Sequence, residues 1–360
     1  MFLDPAMGEK IEKLYFSILF PFFIAIGLSL LSCAKKMTEG EIVFTDIPIS
    51  SYTKIERPLD DLELTTVVLS DGGRQDCVQS GISKVLCVQD KIFCLDGMQS
   101  TLVVYDKSGE AVAKVGIRGR GPQEYVQLSD FTVTPAGEIV LLDGNKDELL
   151  FFDSDCRFLR KQKNRLEISR LASVDGLFLM NVASWEQSGE FDYKVILCDE
   201  KQRERGRFIR NEVRNDPDFE FPYIGFLPAD DGRTFFLKPI DDNLYVFSKD
   251  GLQEMYHFDF GGKTVKAPWR ESVEKYYQDI QSCAFLVNTA YVTPDYCVGM
   301  MFDRGRMVSF YADLERKTLL DMTELGFFMG MADGCAIFYS EPGRYTDMPS
   351  IRLVRLPLSV

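Results

Sequence analysis

Few residues in this 360-residue chain are equipped for chemistry. His257 is the one histidine, so sites built from several imidazoles are excluded. It falls in Met255-Tyr-His-Phe-Asp-Phe260, an apolar run that reads as a strand, where a structural role is the simpler account. No Gly-x-Ser-x-Gly elbow, Walker loop or His-Glu-x-x-His pair occurs. Asp143-Gly-Asn-Lys-Asp147 opens like a calcium loop, in which alternating oxygen ligands surround the ion. Glu148 stands where that loop needs glycine, and Ser154 where it needs a bidentate glutamate. A hairpin turn explains the stretch better, and neither a metal nor a cofactor is expected. Ser51-x-x-Lys54 has the spacing of penicillin-recognising serine enzymes, but it lacks their companion motifs.

Binding is better provided for than catalysis. Arg118, Arg120 and Glu124 cluster in one loop and are candidates for a ligand-bearing face, although bonding within the loop would account for them too. Trp185 and Tyr223, with Trp269, fall in loop or insert regions and are candidate aromatic platforms for a glycan or peptide. The formal net charge of −14 argues against nucleic acid as a partner. The cationic run from Lys201 to Arg210 reads as a solvated outer strand.

The elements that must position these residues are legible from Val115 to Lys161. Gly119, Gly121 and Pro122 make a turn, since glycine tolerates positive φ and proline fixes φ and has no N–H. Strands are expected at Phe131–Thr134, Glu138–Asp143, Leu149–Phe152 and Phe158–Lys161, separated by short Gly-, Asp- and Ser-rich turns. Four short antiparallel strands in so few residues make one propeller blade. Arg118-Gly-Arg-Gly-Pro-Gln-Glu-Tyr125, followed by Gly-Glu-Ile-Val-Leu-Leu-Asp143, resembles the NHL repeat. More closely, it resembles the NHL-like six-bladed β-propeller lipoproteins of Bacteroides-type Gram-negative bacteria. Gln123 stands where that family favours a second glycine.

Other segments repeat the pattern. Asp96 to Asp143 and Asp106 to Asp153 are each 47 residues apart, and Asp199 lies 46 beyond Asp153. Copies continue near Thr234–Phe258, Ala284–Tyr311 and Phe327–Leu356, with a helical insertion beginning at Pro268. An all-β, six-bladed propeller is therefore expected over residues 41–360. Seven blades also fit the length. One of two early strands, Glu41–Phe44 or Leu62–Leu69, is expected to pair with the C-terminal strands and close the ring.

At the N-terminus, Lys10 and Lys13 precede a long apolar run that ends at Leu30-Leu-Ser-Cys33. This reads as a signal peptide over 1–32, lipidation at Cys33 and a tether over 33–40. A retained transmembrane helix is the competing reading. In the lipoproteins it resembles, this cysteine carries the acyl chains. The tether lacks an acidic run after Cys33, which favours the periplasmic side of the outer membrane over the cell surface. The expected function is a lipid-anchored, non-enzymatic module that binds a ligand or an envelope protein. A metal-dependent lactonase-like enzyme and an accessory subunit of a nutrient-uptake complex are the rival readings.

Overall fold

The computed structural model describes residues 42–58, 61–77, 79, 81–183, 193–210, 225–341 and 348–358. Cys33, Trp185 and Tyr223 lie outside these residues. Six antiparallel sheets form a β-propeller. Blade 1 comprises Ile82–Val88, Lys91–Asp96, Thr101–Asp106 and Ala111–Val115. Blade 2 comprises Leu128–Val133, Ile139–Asp143, Glu148–Phe152 and Phe158–Lys163, matching the sequence expectation to within a few residues. Blade 3 follows with Ile168–Val174, Leu177–Val182, Tyr193–Cys198 and Glu204–Arg210. Blade 4 has Phe226–Pro228, Thr234–Leu237, Asn243–Ser248 and Gly251–Phe258. Blade 5 has Ala284–Val292, Tyr296–Asp303, Arg306–Asp313 and Thr318–Asp321.

Blade 6 takes three strands from the C-terminus, Phe327–Ala332, Cys335–Ser340 and Ser350–Arg355, and its fourth, Leu64–Val68, from the N-terminus. The later of the two early segments thus closes the ring. The earlier one does something else: Val43–Ile47 lies parallel on the outer strand of blade 4, from Val43 opposite Glu254 to Ile47 opposite Phe258. Thr53–Ile55 then lies parallel on the outer strand of blade 5. One N-terminal segment therefore belts three consecutive blades. Gly109 shows how tightly it is laid down. Its φ is +88°, and a Cβ there would sit 2.1 Å from the Val68 carbonyl oxygen, so no other residue fits.

The second and third strands of the blades are buried on both faces, for instance Ile139–Asp143 throughout, which is why they read as continuous apolar runs. The hairpins joining third and fourth strands repeat one device. Asp106, Asp153 and Asp199 each accept the backbone N–H groups two and four residues on, at 2.8 to 3.1 Å. The residue three positions on has positive φ in each case: Gly109, Cys156 and Gln202. A bulge in the ladder accompanies each turn.

The insertion between blades 4 and 5 is two short helices, Ala267–Glu271 and Tyr277–Ile280, instead of one. Ser272, at φ −145° and ψ 79°, leaves helical geometry and breaks the pattern. Val273 and Ile280 are buried, and Trp269 stacks on Tyr276 at 6.0 Å, while Tyr277 faces solvent. Arg270 ties the insertion to blade 4 through the Ile240 carbonyl and the Asp242 carboxylate. His257 sits in the outer strand of blade 4, bonded through Nδ1 to Asn243 Oδ1 and stacked on Phe44. No helix among the described residues is long and apolar enough to cross a membrane.

Candidate functional site

The first strand of each blade begins at the face where the second strand ends, and a cavity of about 720 Å³ opens there on the channel axis. Its walls come from blades 1, 2, 3, 5 and 6. A single local device aims side chains into it. The first strands of blades 1, 2, 3, 5 and 6 skip register at Ser83, at Ser129, at Ser169, at Asn288 with Thr289, and at Met329, and all of these but the buried Thr289 line the cavity. A bulge bends its strand and redirects the unpaired residue, so the mouth is furnished by residues that the ladder leaves out.

In blades 1 to 3 the next residue is charged: Lys84, Asp130 and Arg170 occupy equivalent registers. Lys84 and Asp130 are almost fully buried and paired at 2.7 Å, and Lys84 also donates to the Phe131 carbonyl at 2.8 Å. The second Asp130 oxygen accepts the Leu171 N–H at 2.8 Å, so one carboxylate staples three successive blades. Burial pulls the Lys84 ammonium below its ordinary pKa, opposed by Asp130 and reinforced by the charge of Arg170. Arg170 is half-buried, and one of its N–H groups bonds to the Ser169 carbonyl.

The opposite wall is apolar and soft. Met300 and Met307 of blade 5 face it with Phe327 and Met329 of blade 6. Methionine is flexible and polarisable, and it moulds to irregular apolar shapes. The rim adds Met98, 87% exposed, and the carboxylates Asp147 and Glu341. Among the described residues, no three of His, Cys, Asp and Glu gather closely enough to hold a metal ion.

Of the described residues singled out in the sequence, Asp147 stands on the cavity rim, while Asp96, Asp143 and the loop carrying Arg118, Arg120 and Glu124 stand around the cavity. Asp96 and Asp143 occupy equivalent corners at the ends of the second strands. Asp96 accepts the N–H groups of Gly81 and Gln99. Asp143 accepts those of Val126, Gln127, Asn145 and Lys146, so its carboxylate is already clothed by backbone donors. Arg118 and Arg120 are exposed on the connection between blades 1 and 2, outside the cavity lining. Glu124 folds back to accept the Gly121 N–H at 2.6 Å, and a Cβ on Gly119 would meet that carboxylate at 2.1 Å. Tyr125 reaches the Ser100 carbonyl of blade 1. Pro122 borders a separate surface groove with Phe152 and Phe158.

The signal that finds the mouth is an aliphatic–Ser–charged triplet: Ile82-Ser-Lys84, Leu128-Ser-Asp130 and Ile168-Ser-Arg170.

No curated protein matches the sequence. Among solved structures, a Bacteroides fragilis protein described as exported aligns with a TM-score of 0.68 at 15% identity, over 88% of this chain and 100% of its own. A member of the DUF4221 family from Bacteroides vulgatus aligns with a TM-score of 0.47 at 9% identity, over 81% of this chain and 96% of its own. At 15% identity the likeness to the Bacteroides fragilis protein is one of fold. Residues 74–341 match the model of a family described as a domain of unknown function, DUF4934. That span starts just before blade 1 and stops at Glu341 on the cavity rim, taking in every residue that lines the mouth, and the chain belongs to the DUF4934 family.

Proposed function

We propose that this propeller is a lipid-anchored binding module of the cell envelope, of the NHL-like lipoprotein kind, that holds a ligand in the mouth of its central channel without transforming it. The observation that carries this reading is the composition of the mouth. Soft apolar side chains on one wall face hydroxyls and a small set of fixed charges on the other, the usual make-up of a site that recognises a small molecule or a peptide end. A hydrolytic metal site would call for several carboxylates converging at equivalent positions. Here those positions carry Lys84, Asp130 and Arg170, and Asp130 is committed to its neighbours. The Leu30-Leu-Ser-Cys33 stretch supports the anchor, and the likeness to an exported protein agrees with it.

Ser129 is half-buried on the lining, and Ser129→Phe would put a bulky ring into the mouth and narrow it. Thermal-shift screening of the wild type against glycan and peptide libraries is expected to yield ligands that no longer shift the melting of this variant. Ligands that shift both proteins equally would place binding elsewhere. For the anchor, metabolic labelling with an alkyne palmitate is expected to mark the wild type and not Cys33→Ala; equal labelling would reject lipidation there.

A further inference from the structure

The neutral side chains of the mouth say more about its ligand than the charged ones. We infer that the cavity takes an uncharged amphiphile: an apolar body against Met307, with Met300 and Met329 behind it, and a head of hydroxyl groups on the serines of blades 1 to 3. This rests on the binding reading above and goes further by naming the ligand's chemistry.

The head follows from what the lining has left to offer. Its charged groups are engaged within the protein. Lys84 and Asp130 hold each other, Asp130 also accepts the Leu171 N–H, Arg170 donates to the Ser169 carbonyl, and Asp147 lies 3.6 Å from Lys163. Glu341 is exposed on the rim, where water solvates it. The hydroxyls differ. Ser83, Ser129 and Ser169 are the residues that the ladder skips in three successive blades, and each keeps some hydrogen-bonding capacity. Ser83 donates to the Leu95 carbonyl at 3.1 Å, so it has lone pairs left to accept with. Ser169, 6% exposed, accepts an N–H of the Asn181 amide at 2.8 Å, and its own O–H has no acceptor among the described residues. The Ser129 hydroxyl lies against Gly144, where a Cβ would collide with it, and makes no hydrogen bond among the described residues. Ser83 thus asks for a donor and Ser169 for an acceptor. A carboxylate only accepts and an ammonium only donates, whereas a hydroxyl does both through one atom and suits all three serines.

The body follows from the opposite wall. Met307 is partly exposed, the nearly buried Met300 and Met329 back it, and Met98 stands 87% exposed on the rim. Thioethers hydrogen-bond weakly and mould to a hydrocarbon chain or ring face, so this wall gives little to a wholly polar ligand. A free sugar would satisfy the serines and leave the methionines uncovered.

Four compounds test this by calorimetric titration into the full mature chain in unacylated form, at about 0.15 M salt to screen the chain's overall charge. n-Octyl β-D-glucoside, kept below its micellar concentration, has both parts. n-Octyl sulfate and n-octylammonium share its chain and carry ionic heads, and glucose has the head alone. The glucoside is expected to bind at least about threefold more tightly than any of the others. Ser129→Ala is expected to weaken the glucoside by about threefold to tenfold, the scale of one net hydrogen bond, and to leave the ionic compounds unchanged. Met307→Gln is expected to weaken all three octyl compounds, and thermal melts check that both variants fold. Equal or tighter binding of an ionic compound, or a glucoside affinity that Ser129→Ala does not move, overturns the hydroxyl head. Glucose binding as tightly as the glucoside overturns the apolar body. If Met307→Gln still weakens the octyl compounds when the head assignment fails, the mouth remains a binding site and only its head preference is wrong. If neither variant alters any compound, the mouth is not where they bind, and both readings fall.

Discussion

Lys84 and Asp130 define the energetic problem at the residue scale. Burying two ions is costly, and their mutual attraction offsets the cost only while both are present. Asp130→Asn is expected to destabilise the fold by about 3–5 kcal/mol, because it strands a buried ammonium. The pair Lys84→Met with Asp130→Leu is expected to recover most of that loss, less the bond to the Leu171 N–H. Urea denaturation of the three proteins decides the matter, and a double variant no more stable than Asp130→Asn would refute the account. The repeating aspartates were legible because the same carboxylate clips the same turn in successive blades. Asp96 and Asp143 fall at matching corners, and Asp106, Asp153 and Asp199 in matching hairpins. The charged cavity residues were not, for a physical reason. They sit at bulges, where spacing shifts by a residue, and the charged position changes sign from Lys84 to Asp130 to Arg170. A search for recurring residue types passes over a position that recurs only in geometry.

Among elements, the sheet edges repay comparison. An outer strand with unpaired N–H and C=O groups invites association, and this chain answers in two ways. Blades 4 and 5 have their edges covered by Val43–Ile47 and Thr53–Ile55. Among the described residues no strand pairs with the edges of blades 2 and 3, which are loaded with charge: Arg160, Lys161 and Lys163 on one, Arg205, Arg207 and Arg210 on the other. The cationic run read in the sequence as a solvated outer strand is therefore an edge guard. Closure by one of the two early segments was foreseeable from their reading as strands outside the repeats, but the parallel laying-down of the other was not, since five residues carry no mark of their partner. A chain beginning at Thr53 would lose Ile47, Ile49 and Tyr52 from the core, each buried to at least nine-tenths. Its stability is expected to drop by about 4.5–9 kcal/mol at roughly 1.5–3 kcal/mol per side chain. Its uncovered blade 4 edge is expected to cause concentration-dependent association on size-exclusion chromatography. A monomer with unchanged melting temperature would disprove the role given to the belt.

For the whole molecule, the density of buried thiols and phenols sets an alkaline limit. Burial pushes Cys87, Cys198 and Tyr125 up to about 12, and Cys94 well above its ordinary value. The folded chain keeps these protons at pH values where the unfolded chain sheds them. Their stabilisation is therefore complete below about pH 9 and is lost as pH rises, at about 1.4 kcal/mol per group per pH unit above its unfolded-chain pKa. Lys84, shifted downward, works in the opposite sense, but as one group against several. The melting temperature is expected to fall by more than about 5 °C between about pH 8.5 and 10.5, and a flat profile in calorimetry would contradict this. The belt has a mechanical corollary as well. Because Val43–Ile47 runs parallel to its neighbour, a pull at residue 42 directed back along the strand loads all of its cross-strand bonds at once in shear, where a hairpin pulled at its open end would unzip one bond at a time. A chain tugged from its N-terminus thus meets its stiffest direction first, and the ring behind it is spared.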